Sequence, residues 1–387
     1  MNGETRRWRD TILQGIKLSL PLRLSVQFLL AWTILSATPL QAQHGLGFSL
    51  HTGPLLKINP VYPETSQMPY FGEICYMFPN HREKLWQKVH PYLRISLSTH
   101  ILNLGNPEVL GLGLGQTVDL NIPLWTIRQK LVFSLKHGSG LGYISKPYDR
   151  ISNPGNNAIG SRINNLTRIG LQVDWVGSGN LIPYATFSYT HFSNSRVRVP
   201  NLGLNYPAVG LGVRYRTKPI KSSPISALDF PLNQHFLSVR LGWGATTVPA
   251  SNGPVYPVYV GAIAYNRTLP NLRFRWKVGV ESFVSYASYA ILKDYDQPFP
   301  QTAWNATGII VFAGGELLLG RFSSVTHLGP YVKTAFQMKY VLYTKLGVKY
   351  HLFNQDNNPR HQPFIGVYMH AHSGESDFLE CGLGWNF

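Results

Sequence analysis

From residue 43 to the end of the chain, apolar and polar positions alternate with a period of two in runs of about 9 to 15 residues, cut by clusters of Gly, Asn, Pro and Asp. No window sustains an apolar stripe at helical spacing for long, so the chain reads as all-β. Sixteen such runs can be marked, from 46–53 to 376–387. Some are expected to merge, which predicts about 14 strands within a range of 12 to 16. In 180–193, Ala185, Phe187 and Tyr189 share one face while Tyr184, Thr186, Ser188 and Thr190 share the other. In 205–217, Val209, Leu211, Val213 and Tyr215 oppose Gly210, Gly212, Arg214 and Arg216.

Alternation of this kind fits a soluble sandwich, which hides its apolar face, as well as a membrane barrel, which turns that face to lipid. The two ends of the chain decide between them. Arg6, Arg7, Arg9, Lys17 and Arg23 precede an apolar run from Leu24 to Ala37, which is followed by Thr38-Pro39-Leu40-Gln41-Ala42. The run is shorter than the roughly 18 to 20 residues a spanning helix needs, and the pattern predicts an export signal over 1–42, cleaved before Gln43. At the other end, Phe378-Leu379-Glu380-Cys381-Gly382-Leu383-Gly384-Trp385-Asn386-Phe387 alternates and stops on an aromatic residue, which resembles the last strand of outer-membrane barrels. The expectation is therefore a transmembrane antiparallel β-barrel of the bacterial outer membrane with an even number of strands.

Within it, 43–217 forms a first set of strands and 232–387 a further set. Between them lies a Pro/Ser-rich basic stretch, 218–231, that reads as a long loop or a linker. The strand count permits one wide barrel or two of eight.

Composition refines this picture. The 387 residues carry a formal net charge of +17, and the signal takes away five basic and two acidic residues, leaving a strong basic excess. No basic helix or arginine-rich run accompanies it, which sets nucleic acid aside, and an exported chain meets anionic lipid and phosphorylated glycolipid first. Cys75 and Cys381 are too few for a disulfide framework, and they fall on opposite strand parities, so no pairing is expected. The histidines, His370 and His372 among them, lack a supporting ligand pattern, and no metal site is expected.

Candidate chemistry lies in Thr190-His191-Phe192-Ser193-Asn194. His191 and Ser193 continue the face of Ala185, Phe187 and Tyr189, the lipid side, and place a base beside a hydroxyl. If 180–193 and 205–217 form a hairpin, Asn205 falls beside them on the same outer wall. Polar groups exposed to hydrocarbon cost a few kcal/mol each unless bonded, so the three are expected to bond to one another or to serve a lipid-facing reaction. The alternative is a set of head-group-level residues. The same spacing recurs at His137 and Ser139, in a glycine-rich strand end where no polar partner can be placed, and there it reads as plain barrel strand. Gly111-Leu112-Gly113-Leu114-Gly115 likewise lacks the βαβ context of a nucleotide loop.

His191-Phe192-Ser193-Asn194, Pro200-Asn201-Leu202-Gly203-Leu204-Asn205 and Gly210-Leu211-Gly212-Val213-Arg214-Tyr215 together resemble the lipid A 3-O-deacylase (PagL-type) family and its longer relatives, the bacterial acyloxyacyl hydrolases. Upstream, Gly140-Leu141-Gly142-Tyr143, Lys146-Pro147-Tyr148-Asp149 and Asn153-Pro154-Gly155-Asn156-Asn157-Ala158-Ile159-Gly160-Ser161 resemble those longer relatives too. The resemblance implies an outer-membrane esterase that removes an ester-linked acyl chain from the lipid A of lipopolysaccharide, with no cofactor. Ser193 would be its nucleophile, His191 its general base and Asn194 an oxyanion donor. The family's acidic member falls at Asn205, which can orient the imidazole but cannot stabilise its cation as a carboxylate would. Activity should then be weaker, or a carboxylate reaches in from elsewhere, with Glu73, Glu108, Asp174 and Glu380 suitable by type. The contrasting expectation is a barrel that kept the fold and lost the chemistry, acting as a pore or lipid-binding scaffold. Since the chain starts in the periplasm, the connection after the seventh strand is extracellular, which puts the site at the outer leaflet, where lipopolysaccharide lies.

Overall fold

Period-two alternation becomes strands throughout. The structure is a computed structural model that describes residues 45–80, 84–90, 93–128, 130–216, 234–248, 253–269, 274–294, 300–335, 342–353, 359–372 and 375–387. The expected export signal, 1–42, and the stretch 218–231 lie outside them.

Eight strands make up the first unit: β1 (Gly45–Thr52), β2 (Tyr70–Phe78), β3 (Arg94–Asn103), β4 (Leu112–Ile127), β5 (Leu131–Ile144), β6 (Ile163–Trp175), β7 (Leu181–Ser193) and β8 (Leu204–Arg216). Each pairs antiparallel with the next, and β1 also pairs with β8, Gly45 against Arg216 through Thr52 against Val209, which closes the barrel. A second closed barrel follows: β9 (Gln234–Thr247), β10 (Val255–Thr268), β11 (Phe274–Ser285), β12 (Thr307–Leu319), β13 (Phe322–Lys333), β14 (Leu342–His351), β15 (Gln362–His372) and β16 (Glu375–Asn386). Here β16 closes onto β9, Leu379 against Ala245 through Asn386 against Ser238. Among the described residues two short helices, α1 (Leu85–Val89) and α2 (Tyr286–Asp294), interrupt the strand series.

The fold is thus all-β and antiparallel, as the alternation requires, and the count lies at the upper end of the expected range of 12 to 16. The described residues hold sixteen strands, closed as two barrels of eight. Eight is the size at which inward side chains fill the interior without a channel, and both interiors are filled with ion pairs. In the first, Glu73 meets Lys136 and Arg168, Asp119 lies 3.4 Å from Lys136, and Asp174 bonds Arg94 at 2.6 Å and Arg214 at 3.0 Å. In the second, Lys345 bridges Glu281 at 2.6 Å and Glu380 at 2.9 Å beside Arg240, and Glu316 gathers Lys277, Lys349 and Arg275. These pairs set nine Lys and Arg against six Asp and Glu, so the interiors account for only a small part of the basic excess.

Outer walls are apolar. Leu46, Phe48, Leu50, Leu171, Phe187, Val209 and Leu211 are exposed on the first barrel, and Leu241, Ile263, Val280, Leu346 and Leu383 on the second. The barrel walls turn apolar side chains outward and polar ones inward, the arrangement of a membrane-spanning barrel. Cys75 is buried in β2, Cys381 is half-buried in β16, and both thiols are free.

An interior built this way predicts a fragile point. Lys345→Met leaves Glu281 and Glu380 sharing the Arg240 cation, and breaking a buried pair by removing one partner costs about 3 to 5 kcal/mol. Urea unfolding of the protein folded into vesicles should register that loss, whereas Leu346→Val on the lipid face of the same strand should cost less than about 1.5 kcal/mol.

Candidate active site on the outer wall of the first barrel

Alternation carries β7 outward at Ala185, Phe187, Tyr189 and His191, and β8 outward at Val209, Leu211, Val213 and Tyr215. The register of the two strands sets His191 directly opposite Asn205. His191 Nδ1 lies 2.7 Å from Asn205 Oδ1, which also accepts the Tyr189 hydroxyl at 2.8 Å. Because that oxygen can only accept, Nδ1 carries the ring proton and Nε2 is left as the basic nitrogen. Ser193, 5 % exposed, ends β7 two residues beyond His191.

The loop between β7 and β8 is shaped around this pair. Asn201 turns its side chain back onto the end of β7: Nδ2 donates to Ser193 Oγ at 3.1 Å, and Oδ1 accepts the Asn194 backbone N–H at 2.8 Å. Asn194 Nδ2 donates to Ser161 Oγ at 2.8 Å. Two amide side chains therefore flank the serine. Asn194 is expected there from the sequence; Asn201 lies within the family-like stretch but carries no role in it, since its contact depends on how the return loop folds.

Gly203 brings the loop against the imidazole. Its φ of +76° belongs to the left-handed region, and a Cβ there would stand 2.6 Å from His191 Cε1. Its N–H donates to Ala158 O at 3.1 Å, Tyr62 donates its hydroxyl to Gly203 O, and Ile159 bridges to Asn201. Beneath them Tyr62, Leu104, Leu110, Ala158, Ile159, Phe192, Leu204 and Tyr206 pack into one buried apolar cluster. The upstream stretch 153–161 thus acts as scaffold: Asn153 Nδ2 holds Val109 O at 2.9 Å and Asn156 Nδ2 holds Lys146 O at 2.7 Å, which fixes the loop that supports Gly203. Gly203→Ala should cost about 1 to 2 kcal/mol for the left-handed backbone alone. It should also push His191 aside, so activity should fall more than thermal stability does; paired activity and unfolding measurements would check this.

None of the four carboxylates suited by type reaches the site. Glu73 and Asp174 are sealed in the first barrel's ion pairs, Glu380 belongs to the second barrel, and Glu108 is exposed on a loop. Among the described residues no carboxylate hydrogen-bonds His191, whose acceptor is the Asn205 amide. The reason is topological: the acids with inward parity cannot cross the wall to an outward imidazole.

One cluster has the ligand set of a metal centre. Glu281, His370 and Glu380 bring donor atoms within 4.8 Å of one another inside the second barrel. Lys345 Nζ already lies 2.6 and 2.9 Å from the two carboxylates, in the position a cation would take, and Arg240 supplies a second positive charge. The cluster is an ion-pair core.

Comparison with known proteins assigns both barrels. Residues 113–214 match the model of the family described as lipid A 3-O-deacylase (PagL), and residues 235–387 match that of the acyloxyacyl hydrolase C-terminal domain. No curated protein matches. Among solved structures, the crystal structure of the outer membrane enzyme PagL is similar at 15% identity over 45% of this chain and 99% of that chain, with a TM-score of 0.29. The Acinetobacter baumannii outer membrane protein Omp33 is similar at 6% identity over 89% of this chain and 99% of that one, with a TM-score of 0.16. The assignment rests on the two family models, which fall on successive parts of the chain, one within each barrel and together covering about two thirds of its length. The chain belongs to the lipid A 3-O-deacylase and acyloxyacyl hydrolase family of outer-membrane β-barrel proteins.

Proposed function

We propose that the first barrel is a serine esterase that removes an ester-linked acyl chain from lipid A. The observation that carries the reading is the bond of His191 Nδ1 to Asn205 Oδ1 at 2.7 Å on a lipid-facing wall, with Ser193 two residues along the same face. An imidazole so held presents Nε2 to a neighbouring hydroxyl. Ser193 Oγ attacks the ester carbonyl carbon while His191 takes its proton. The tetrahedral oxyanion is met by amide N–H groups, with Asn201 Nδ2 and Asn194 as donors. Collapse breaks the bond to the sugar oxygen, which leaves with the proton from His191. Water, deprotonated by the same imidazole, then releases the fatty acid from Ser193.

Two features support the substrate class. The site opens on hydrocarbon, so a substrate already in the leaflet arrives laterally, and the family is described by its action on lipid A. Asn205 in place of an acid favours the contrasting reading, a barrel that binds lipid without cutting it. Expression of the chain in an outer membrane, followed by mass spectrometry of the extracted lipid A, separates the two. The esterase removes the mass of one acyl chain; unchanged lipid A despite verified insertion sinks it.

A further inference from the structure

The two cross-strand rows of outward side chains that contain His191 and Ser193 carry further polar residues beyond the site, interrupted by Leu141 in one and ended by Val118 in the other. From His191 the row continues to Thr167 on β6 and Ser139 on β5. From Ser193 it continues to Asn165 on β6, then past Leu141 on β5 to Gln116 on β4 and Thr99 on β3. These residues are bonded to one another: Thr167 Oγ1 donates to Asn165 Oδ1 at 2.6 Å, Asn165 Nδ2 to Ser139 Oγ at 3.4 Å, and Thr99 Oγ1 to Gln116 Oε1 at 3.1 Å. With neighbouring strands about 4.8 Å apart, the track from Ser193 to Thr99 is roughly 19 Å long. The second His-x-Ser spacing of the chain, at His137 and Ser139, therefore has a polar partner after all and contributes Ser139 to the track.

A head-group belt would follow the strand ends around the whole barrel. This track does neither. Counted from the end of each strand at which the site lies, Asn165 stands beneath Ile163, Ser139 beneath Tyr143 and Leu141, and Gln116 beneath Leu112 and Leu114. The track sinks into the apolar wall as it leaves Ser193. On the other side of the site the second and third outward positions from the same strand ends are Pro207 and Val209 on β8, Leu50 and Phe48 on β1 and Gly72 and Ile74 on β2, none with a hydrogen-bonding side chain. Hydrogen-bonding side chains at lipid-facing positions are costly and mark function by default, and these occupy one sector only.

Its chemistry is uniform. Thr99, Gln116, Ser139, Asn165 and Thr167 are uncharged donors and acceptors, and no Lys or Arg joins them, so the track is unsuited to phosphate, which recruits cations. It suits amides and hydroxyls. We propose that the track is a subsite for the neutral, hydrogen-bonding part of an acylated amino-sugar lipid, holding the amide and hydroxyl groups that flank the ester while the ester carbonyl lies at Ser193. This rests on Ser193 being the reacting residue. The track residues position substrate and take no part in bond breaking, and they favour amide-rich glycolipid over phospholipid.

Binding measured in the full chain carrying Ser193→Ala tests this without turnover. Affinity for purified lipid A and for phosphatidylglycerol, both presented in micelles, is compared before and after adding Gln116→Leu and Asn165→Leu. Heat-modifiable gel migration verifies the fold. Lipid A affinity should fall about tenfold, as for the loss of one or two neutral hydrogen bonds, with phosphatidylglycerol unmoved and Leu171→Ala, below the track, without effect on either. Lipid A binding that is absent from the start, or unchanged by the two substitutions, or lost in equal measure with phosphatidylglycerol, overturns the subsite. A chain with an intact Ser193 that binds lipid A through the track but never cleaves it would instead overturn the esterase reading alone.

Discussion

Ser193→Ala should abolish lipid A deacylation, lowering the rate by about four orders of magnitude or more, because in the proposed mechanism the nucleophile and its base act as a unit and little remains once either is lost. His191→Ala should cost about as much, and the double variant little more than either single one. Both sit at the end of β7 on the outer face, so neither change opens a cavity in the ion-pair interior, and barrel stability should hold. Release of the acyl chain from lipid A, followed by mass spectrometry with insertion checked in parallel, would read this. Losses in the two single variants that simply multiply in the double variant would argue against a nucleophile and base working together.

Asn205→Asp is expected to raise activity. The amide at Asn205 accepts from His191 Nδ1 and Tyr189, so it fixes the tautomer, but it offers no charge to the imidazolium that the proposed mechanism forms. In serine proteases the reverse change, acid to amide, costs about 10⁴ in turnover through the wrong tautomer. Here the tautomer is already set by the Oδ1 acceptor, so the gain should be smaller, on the order of ten- to a hundredfold. It should come with a sign: activity of Asn205→Asp should fall as pH drops and the new carboxyl takes up a proton, a limb the native chain lacks. Asn205→Leu, which removes the acceptor, should lose activity at every pH. An Asn205→Asp variant no faster than the native chain would mean that the imidazolium is stabilised by other groups, or that His191 is no base.

The His-Ser-Asn grouping is legible in the sequence because strand geometry is local. A period of two places His191 and Ser193 on one face, and the hairpin count sets Asn205 beside them; the register of β7 against β8 adds the distance. Asn201 and Gly203 are not legible as working parts. Their roles arise from a loop that folds back onto β7 and is braced by Tyr62 and by 153–161, contacts between segments distant in sequence. The second His-x-Ser spacing misleads for the same reason. Ser139 shows no partner along the chain because Asn165 and Thr167 reach it only through the pairing of β5 with β6.

All sixteen strands can be marked from alternation alone, and the reduction to about 14 is unneeded. What no local pattern carries is closure. Whether β8 returns to β1 or passes on to β9 is decided by pairing between segments about 170 residues apart, Gly45 with Arg216, and by interiors whose buried ion pairs fill a barrel of eight. Alternation along the chain is enough for the strands, their faces and the His-Ser pair, since it depends only on near neighbours. The tertiary structure alone decided that there are two barrels, that every candidate acid is kept away from His191, and that a polar track leads from Ser193 across the lipid-facing wall, because each depends on which strand lies next to which.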